Sequence, residues 1–233
     1  MWNWRNLTRI EVQQKVLSEN ERIAKSLRER VRKNGIYCPN LMSSPGAGKT
    51  LLLERTLAMF PPDTGVAVLT GDIQTDNDAK RLARYGFHVR QINTGGSCHL
   101  DARRVERQLE GWDLETLDYL FIENVGNLVC PSSYDLGEHD KIVILSVTEG
   151  EDKPLKYPGT FARAGLVILN KIDLLPYVQF DIAKAKKNVR KVNPGAEILE
   201  VSATTGANLD DWYAWLEKKH GGCAQQLSTL VVS

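Results

Sequence analysis

The stretch Leu41-Met42-Ser43-Ser44-Pro45-Gly46-Ala47-Gly48-Lys49-Thr50 joins an apolar segment to one with helical periodicity. It follows the pattern G-x-x-x-x-G-K-[ST], except that Ser43 stands where the first glycine would be. Glycines let backbone N–H groups approach an anion, and the first turn of a helix favours negative charge. We therefore predict a phosphate-binding loop formed by Gly46, Ala47, Gly48, Lys49 and Thr50. Lys49 would reach the β- and γ-phosphates, and the Thr50 hydroxyl would contact Mg²⁺.

On both sides of this loop, apolar segments alternate with helical patterns. Runs such as VAVLT, IVILSV and LVILN are apolar throughout, which is typical of strands covered on both faces of a parallel sheet. The predicted strands are Cys38–Met42, Val66–Thr70, Val89–Ile92, Tyr119–Ile122, Lys141–Val147, Leu166–Leu169 and Ile198–Val201. The predicted helices are Thr50–Met59, Asp76–Tyr85, Asp101–Glu110, Phe180–Val192 and Leu209–Lys218. This alternation predicts an α/β fold of the P-loop NTPase type, a doubly wound, mainly parallel sheet with helices on both faces.

The chain divides into three parts by pattern. Residues 1–35 form an amphipathic N-terminal helix that ends at Asn34-Gly35 and packs either on the following domain or on a partner. Residues 36–219 form one P-loop domain. Residues 220–233 lack helical signals, and we expect a mobile C-terminal tail there.

The composition excludes several classes of protein. The 233-residue chain carries 30 Lys and Arg against 29 Asp and Glu, so its charge does not indicate a nucleic-acid-coating protein. Its apolar runs are far shorter than the roughly 20 residues that a membrane span needs. The first residues lack the pattern of a secretory signal, and four cysteines are too few for a disulfide framework. We expect a cytoplasmic protein with reduced thiols and with no nucleic-acid or membrane partner.

The segment Asn170-Lys171-Ile172-Asp173 directly follows a predicted strand. The Asp173 carboxylate can accept hydrogen bonds from N1–H and the exocyclic amino group of guanine, whereas adenine presents an acceptor at N1. Farther on, Val201-Ser202-Ala203 follows another strand and is similar to the loop that supports guanine in G proteins. In this order after a phosphate-binding loop, the two motifs predict GTP and GDP as ligands. The residues predicted around the base are Asn170, Lys171, Asp173, Ser202 and Ala203.

Carboxylates follow two other predicted strands. Glu123-Asn124-Val125-Gly126 ends one of them, so Glu123 would hold Mg²⁺ directly or through water and the Gly126 N–H would contact the γ-phosphate. Asp72 ends the strand before it and is our candidate for positioning the attacking water and for supporting Mg²⁺. Asp76 either contributes to the Mg²⁺ site or only caps the next helix. The predicted catalytic residues are Lys49, Asp72 and Glu123.

A cysteine and a histidine are adjacent in Gly95-Gly96-Ser97-Cys98-His99, and Cys130 lies in the segment Asn127–Pro131. A lone cysteine or histidine usually serves packing. Two thiolates and an imidazole, however, suit Ni²⁺ or Zn²⁺ better than Mg²⁺. From spacing alone, packing and metal binding stay equally open. Three ligands do not complete a coordination shell, so a metal site would also need water, a carboxylate or a second copy of the chain.

Six motifs in this chain resemble those of the hydrogenase nickel-incorporation GTPases, the HypB family of the SIMIBI class of P-loop GTPases. They are SSPGAGKT, GDIQTDNDA, NTGGSCHLDA, ENVGNLVCP, SVTEGEDKPLKYP and NKIDLL. The similarity runs from about residue 7 to about residue 218, and the Cys-His and NLVCP motifs are the specific ones. Related urease accessory GTPases have C-P-H instead and keep the leading glycine of the phosphate-binding loop.

The resemblance implies slow, regulatory hydrolysis of GTP, homodimerisation promoted by GTP and metal, and delivery of nickel to a [NiFe]-hydrogenase precursor. It also implies a metal site at the dimer interface, built from Cys98, His99 and Cys130. The implied partners are the hydrogenase large-subunit precursor and a second nickel-maturation accessory protein. The alternatives are a GTPase metallochaperone for another client, such as urease, and a non-catalytic nickel- or zinc-binding protein. Some members carry an N-terminal cysteine motif or a His-rich stretch; this chain shows neither, so we expect no nickel storage.

Glu123, Gly126 and Cys130 share one short segment of the chain. If Glu123 and Gly126 sense the γ-phosphate, hydrolysis would move Cys130 relative to Cys98 and His99. By thermodynamic linkage, nucleotide state and metal affinity would then alter each other equally. The sequence therefore predicts a switch in which GTP controls the metal site.

Overall fold

The computed structural model describes residues 9–72 and 77–231. Strands and helices alternate along them. The strands are β1 Pro39–Ser43, β2 Val66–Asp72, β3 His88–Asn93, β4 Tyr119–Glu123, β5 Asp140–Ser146, β6 Ala164–Asn170 and β7 Glu197–Val201. The helices are α1 Arg9–Lys33, α2 Lys49–Met59, α3 Asn77–Ala83, α4 Ala102–Gln108, α5 Lys153–Lys156, α6 Pro158–Phe161, α7 Ile182–Val192 and α8 Leu209–Val231. Short 3₁₀ segments lie at Leu114–Thr116, Cys130–Ser133 and Ile172–Tyr177.

The seven strands form one sheet in the order β3-β2-β4-β1-β5-β6-β7, and every strand pair in it is parallel. The predicted fold and all of the predicted strands are thus confirmed, with ends that differ by one or two residues. In a parallel sheet the carboxyl ends of the strands meet at one edge. The loops after β1, β2, β4, β6 and β7 therefore converge there, which brings the predicted motifs together.

Helices cover both faces of the sheet, as side chains that alternate along each strand require. On one face, β1, β2, β4, β5 and β6 pack against α2 and α8, with Trp212 and Phe121 among the fully buried side chains. On the other face, β2 and β4 pack against α1 and α4, while β5 and β6 pack against α6 and α7. The five inner strands thus bury both of their faces, which explains why their apolar runs do not alternate, whereas the edge strands β3 and β7 are partly exposed.

Helix α1 packs on the domain that follows it. Its residues Ile23, Ala24, Leu27 and Val31 are buried in a cluster with α4 and the sheet. The apolar stripe in the sequence is therefore the buried face of a helix that belongs to the core. In the described part of the chain, no helix has both the length and the apolar character to cross a membrane.

Helix α8 is longer than predicted. We expected its end at Lys218 and an irregular tail over 220–233, but the helix continues through Gly221 and Gly222 to Val231. Two glycines cost roughly 1 kcal/mol each relative to alanine within a helix. Beyond them, however, Cys223 packs against the same core cluster as Trp215 and Leu216. The end predicted at Lys218 is therefore wrong, and the helix extends to Val231.

Candidate functional site

The phosphate-binding loop connects β1 to α2 at the carboxyl edge of the sheet. Gly46 and Gly48 both have positive φ, 74° and 98°, which favours glycine. A Cβ atom at Gly48 would also lie 2.5 Å from Asn170 Nδ2. The loop therefore needs glycine at position 48 both for its backbone conformation and for the close approach of the β6 loop.

Lys49, the first residue of α2, is only 8% exposed. Burial lowers its pKa, because the charged form is poorly solvated there. Its Nζ donates a hydrogen bond to Ser43 Oγ over 2.8 Å. Ser43 is the residue that replaces the first glycine of the usual pattern, and its hydroxyl is the acceptor that holds the lysine in this loop.

Glu123 ends β4 beside the same loop and is 3% exposed. Its Oε1 accepts a hydrogen bond from Thr50 Oγ1 over 2.7 Å, and its buried Oε2 has no hydrogen-bond partner among the described residues. Burial raises the pKa of Glu123 to about 7, although the nearby Lys49 ammonium acts in the opposite direction. A buried carboxylate oxygen without a partner, beside a hydroxyl group, fits a hard divalent cation such as Mg²⁺.

These groups face a cavity of about 430 Å³ that the end of β2 also lines, through Asp72. The structure thus brings Lys49, Thr50, Asp72 and Glu123 together as predicted. Asp76 lies outside the described residues. The cavity has two further charged residues that sequence reasoning missed, Asp78 and Arg81.

Asp78 and Arg81 lie on α3. The Arg81 guanidinium is 2.5 Å from a carboxylate oxygen of Glu54 on α2 and 3.5 Å from one of Asp78. The GDIQTDND motif showed in the sequence that carboxylates are crowded there. It did not show that the Arg81 guanidinium lies next to them. Because Arg81 is three residues after Asp78, a helical reading of the segment could have placed both on one side.

The turn after β4 contacts the phosphate-binding loop. A Cβ atom at Gly126 would lie 3.2 Å from Pro45 Cα, so the glycine lets the two loops approach closely. Asn124, which is 1% exposed, fixes the turn by accepting a hydrogen bond from Val125 N over 3.0 Å. Its Nδ2 donates to Asn40 Oδ1 within β1. Asn124 and Asn40 are further residues that sequence reasoning did not single out.

Three loops meet where the base of a nucleotide would lie. Asn170 at the end of β6 donates to Ala47 O over 2.8 Å and accepts from Ala203 N over 3.2 Å. Lys171 Nζ donates to Gly46 O over 2.7 Å, and Ser202 Oγ donates to Asp173 Oδ1 over 2.5 Å. Lys171 has a positive φ of 65°, which turns the chain sharply after β6. The two predicted base-binding motifs thus lie against each other and against the phosphate-binding loop.

Cys98, His99 and Cys130 form a second cluster. One ligand atom from each lies within 4.8 Å of the others, and Cys98 Sγ is 3.8 Å from His99 Nδ1. A hydrogen bond with Cys130 raises the pKa of the Cys98 thiol, and burial lowers the pKa of His99. The His99 ring stacks on Tyr134 at a centroid distance of 3.9 Å. The geometry thus brings together the three residues whose sequence spacing left packing and metal binding equally open.

Two side chains hold the loop that carries Cys98 and His99. Asp101 accepts a hydrogen bond from Arg104 N over 2.9 Å and so caps α4. The Arg104 guanidinium reaches His99 O at 3.5 Å and Thr94 O at 3.2 Å. The loop is thereby tied to the first turn of α4.

Cys38 and Cys223 take no part in this cluster. Cys38 is buried in the core, and burial raises the pKa of its thiol well above the usual value. Cys223 packs on the sheet through α8.

Comparisons with known proteins agree with these observations. Residues 39–200 match the family described as "CobW/HypB/UreG, nucleotide-binding domain". The chain is 50% identical over 208 residues to the hydrogenase maturation factor HypB of Escherichia coli K12, covering 89% of this chain and 72% of that protein. The crystal structure of HypB from Helicobacter pylori in complex with nickel is 44% identical with a TM-score of 0.82, covering 88% of this chain and 96% of that one.

The crystal structure of the hydrogenase maturation factor HypB from Archaeoglobus fulgidus is 38% identical with a TM-score of 0.81. The match covers 87% of this chain and 99% of that one. The family model and these matches each cover most of the chain. The chain therefore belongs to the HypB family of hydrogenase maturation factors, within the CobW/HypB/UreG group of nucleotide-binding proteins.

Proposed function

We propose that this protein is a GTP-hydrolysing metallochaperone that binds Ni²⁺ and supports its insertion into a [NiFe]-hydrogenase precursor. The observation that carries the proposal is the path of one segment, from Glu123 to Cys130. It begins in the phosphate cavity and ends in the Cys-His cluster. The relatives are named hydrogenase maturation factors, which supports a hydrogenase precursor as the protein that receives the metal. The nickel complex of the Helicobacter pylori protein supports the metal, and Zn²⁺ suits the same ligands.

For hydrolysis, we assign a role to each group in the cavity. Lys49 binds the β- and γ-phosphates, the Gly126 N–H donates to the γ-phosphate, and Asp72 orients the attacking water. Thr50, Asp72 and Glu123 hold Mg²⁺ directly or through water. When bound, Mg²⁺ neutralises charge on the phosphates. The products are GDP and phosphate, and turnover is slow because no glutamine follows Gly126 to orient a water.

Guanine selectivity rests on Asp173. Asp173→Asn is expected to weaken GTP binding by about 10–100-fold, the loss typical of a hydrogen bond to a charged group. The variant would also bind a xanthine nucleotide better, because an amide donor replaces one carboxylate oxygen. Since Asn can still accept from Ser202, the loop is expected to keep its shape. Competition titrations with GTP, ATP and XTP measure the change.

The matched control is Asp210→Asn, at an exposed position in the first turn of α8. It should leave all three affinities as they are. Wild-type protein that binds ATP as tightly as GTP would show that the assignment of guanine is wrong.

The coupling of nucleotide to metal runs through the turn after β4. Asn127 Nδ2 donates to Cys98 O over 3.4 Å, and its Oδ1 accepts from Val129 N over 2.8 Å. Asn127 thus contacts the loop of Cys98 and the residue before Cys130, and it lies one residue after Gly126. A shift of the turn on loss of the γ-phosphate would therefore change the spacing of the metal ligands.

A metal titration tests this coupling. We expect the Kd for Ni²⁺ to differ by about fivefold or more between the GDP form and a form with a non-hydrolysable GTP analogue, the range typical of coupled sites. Ni²⁺ must change the affinity for the analogue relative to GDP by the same factor. Asn127→Ala should reduce the difference while both ligands still bind. Equal Kd values for Ni²⁺ in the two nucleotide states would contradict the switch.

We further propose that the protein acts as a homodimer promoted by GTP and metal. Three ligands leave the coordination shell incomplete, and two-fold symmetry places the same surface of each copy face to face. Val129, beside Cys130, is 58% exposed and apolar, as expected of a residue at such a contact. Sedimentation of the samples from the metal titration measures the fraction of dimer directly.

The proposed partners are the hydrogenase large-subunit precursor and a second nickel-maturation accessory protein. We propose that the protein meets them in the cytoplasm.

A further inference from the structure

Asn20 is a buried amide in the middle of α1. It is only 6% exposed, whereas its neighbours Glu21 and Arg22 are exposed. An amide buried in this way costs free energy unless its donor and acceptor find partners. Its Oδ1 accepts from Ala102 N over 2.8 Å, and its Nδ2 donates to Asp135 O over 2.8 Å. Each end of the amide thus has a partner, and both partners are backbone groups.

The two partners belong to the two segments that carry the Cys-His cluster. Ala102 begins α4, shortly after Cys98 and His99. Asp135 follows the 3₁₀ segment that begins at Cys130. The Asn20 side chain therefore connects the segment that carries Cys98 and His99, at Ala102, to the segment that carries Cys130, at Asp135. The stack of Tyr134 on His99 is a second contact between the same two segments.

A simpler explanation accounts for only half of this geometry. The first N–H groups of a helix lack partners within the helix, and Asn20 could merely satisfy that of Ala102. Asp101 already caps α4 through Arg104 N, and the cap does not explain the hydrogen bond to Asp135 O. That second bond satisfies the buried Nδ2 donor, and its partner lies on the segment that carries Cys130, so it also fixes that segment relative to α4.

We propose that Asn20 is a positioning residue for the metal cluster, one that sets the separation of Cys98 and His99 from Cys130. The proposal rests on the metal binding proposed above. It makes the N-terminal helix part of the support of the metal site, although α1 supplies no ligand. Any displacement of α1 would then change metal affinity while the nucleotide site, at the ends of β1 and β6, stays intact.

The main variant is Asn20→Asp. The carboxylate keeps the size of the side chain and the acceptor for Ala102 N, but it cannot donate to Asp135 O. We expect its affinity for Ni²⁺ to fall by about 10–100-fold, the loss typical of a contact that orients a metal ligand. The Ni²⁺–thiolate absorption should shift, and GDP affinity should stay as in the wild type. Asn20→Leu, of similar size and with neither hydrogen bond, should lose at least as much.

The chain offers a matched control on the same helix. Asn34 is a partly exposed amide whose Nδ2 donates to Arg30 O within the same helix and contacts neither segment of the cluster through that bond. Asn34→Asp makes the same chemical exchange and should leave Ni²⁺ affinity unchanged. A readout without metal is the rate at which a short bifunctional thiol reagent bridges Cys98 and Cys130 in a Cys223→Ser background. We expect Asn20→Asp to slow it.

Each result decides between explanations. Wild-type affinity, absorption and bridging rate in both Asn20 variants would overturn the positioning role and leave the proposed function intact. Parallel loss of Ni²⁺ and GDP binding, with a lower Tm, would show that Asn20 only stabilises the fold and would also overturn it. Wild-type protein that binds neither Ni²⁺ nor Zn²⁺ would overturn the proposed metal function as well.

Discussion

Lys49→Ala is expected to reduce GTP turnover by about 100-fold or more, the loss typical of removing one preorganised donor that faces developing negative charge. Lys49 is held for this role: its ammonium is buried, lies beside the phosphate cavity and is fixed by Ser43. Phosphate release from GTP at saturating nucleotide gives kcat, and a nucleotide titration gives the change in affinity.

A matched control separates charge from position. Lys184 is an exposed lysine that pairs with Glu151 and does not line the cavity, so Lys184→Ala removes one positive charge outside it. It should leave turnover unchanged. Retained Ni²⁺ binding in Lys49→Ala would show that the variant is folded. Turnover that does not depend on Lys49 would favour a non-catalytic nickel- or zinc-binding protein.

Replacing both thiols of the cluster should abolish tight metal binding. Loss of a supporting contact costs about 10–100-fold in metal affinity, and loss of a ligand should cost more. Cys98→Ala, His99→Ala and Cys130→Ala are each expected to weaken Ni²⁺ or Zn²⁺ binding. The Cys98/Cys130 double variant should also lose the Ni²⁺–thiolate charge-transfer absorption. GDP affinity should stay nearly intact, because the base-binding loops are held by other contacts.

The remaining two cysteines provide the control for this experiment. Cys38→Ala and Cys223→Ala remove thiols that pack in the core and should leave metal affinity unchanged. Charge-transfer absorption that persists in the double variant would place the nickel site elsewhere in the chain. Both measurements are made on the full chain.

The sequence was informative wherever the signal was local. Continuous apolar runs located the inner strands, because strands buried on both faces show no alternation of apolar and polar residues. The phosphate-binding and base-binding motifs each lie at the end of a strand, so a parallel sheet was enough to predict their meeting. Cys98, His99 and Cys130 were found by the chemistry of their side chains, and the spacing could not decide between packing and metal binding.

What the sequence did not reveal depends on contacts between distant segments. Asn20, Asn40 and Asn124 look like ordinary polar residues until the fold shows that each is buried and bonded. The predicted helix over Asp76–Tyr85 could place Arg81 beside Asp78, but only the fold shows that both line the phosphate cavity. The continuation of α8 past two glycines goes against local propensity, and Cys223 just beyond them packs against a surface built from distant strands.

The position of β1 in the middle of the sheet has a consequence for biosynthesis. Its neighbours are β4 and β5, which begin at Tyr119 and Asp140, whereas β2 and β3 pair with each other. Ribosomes add about 5–20 residues per second, so β4, the first strand that can pair with β1, is synthesised several seconds after it. Long-range parallel pairing of this kind is slow to form. A nascent chain arrested before β4 emerges therefore presents a central strand without either neighbour, and it also lacks Glu123 and Asn170 of the candidate site.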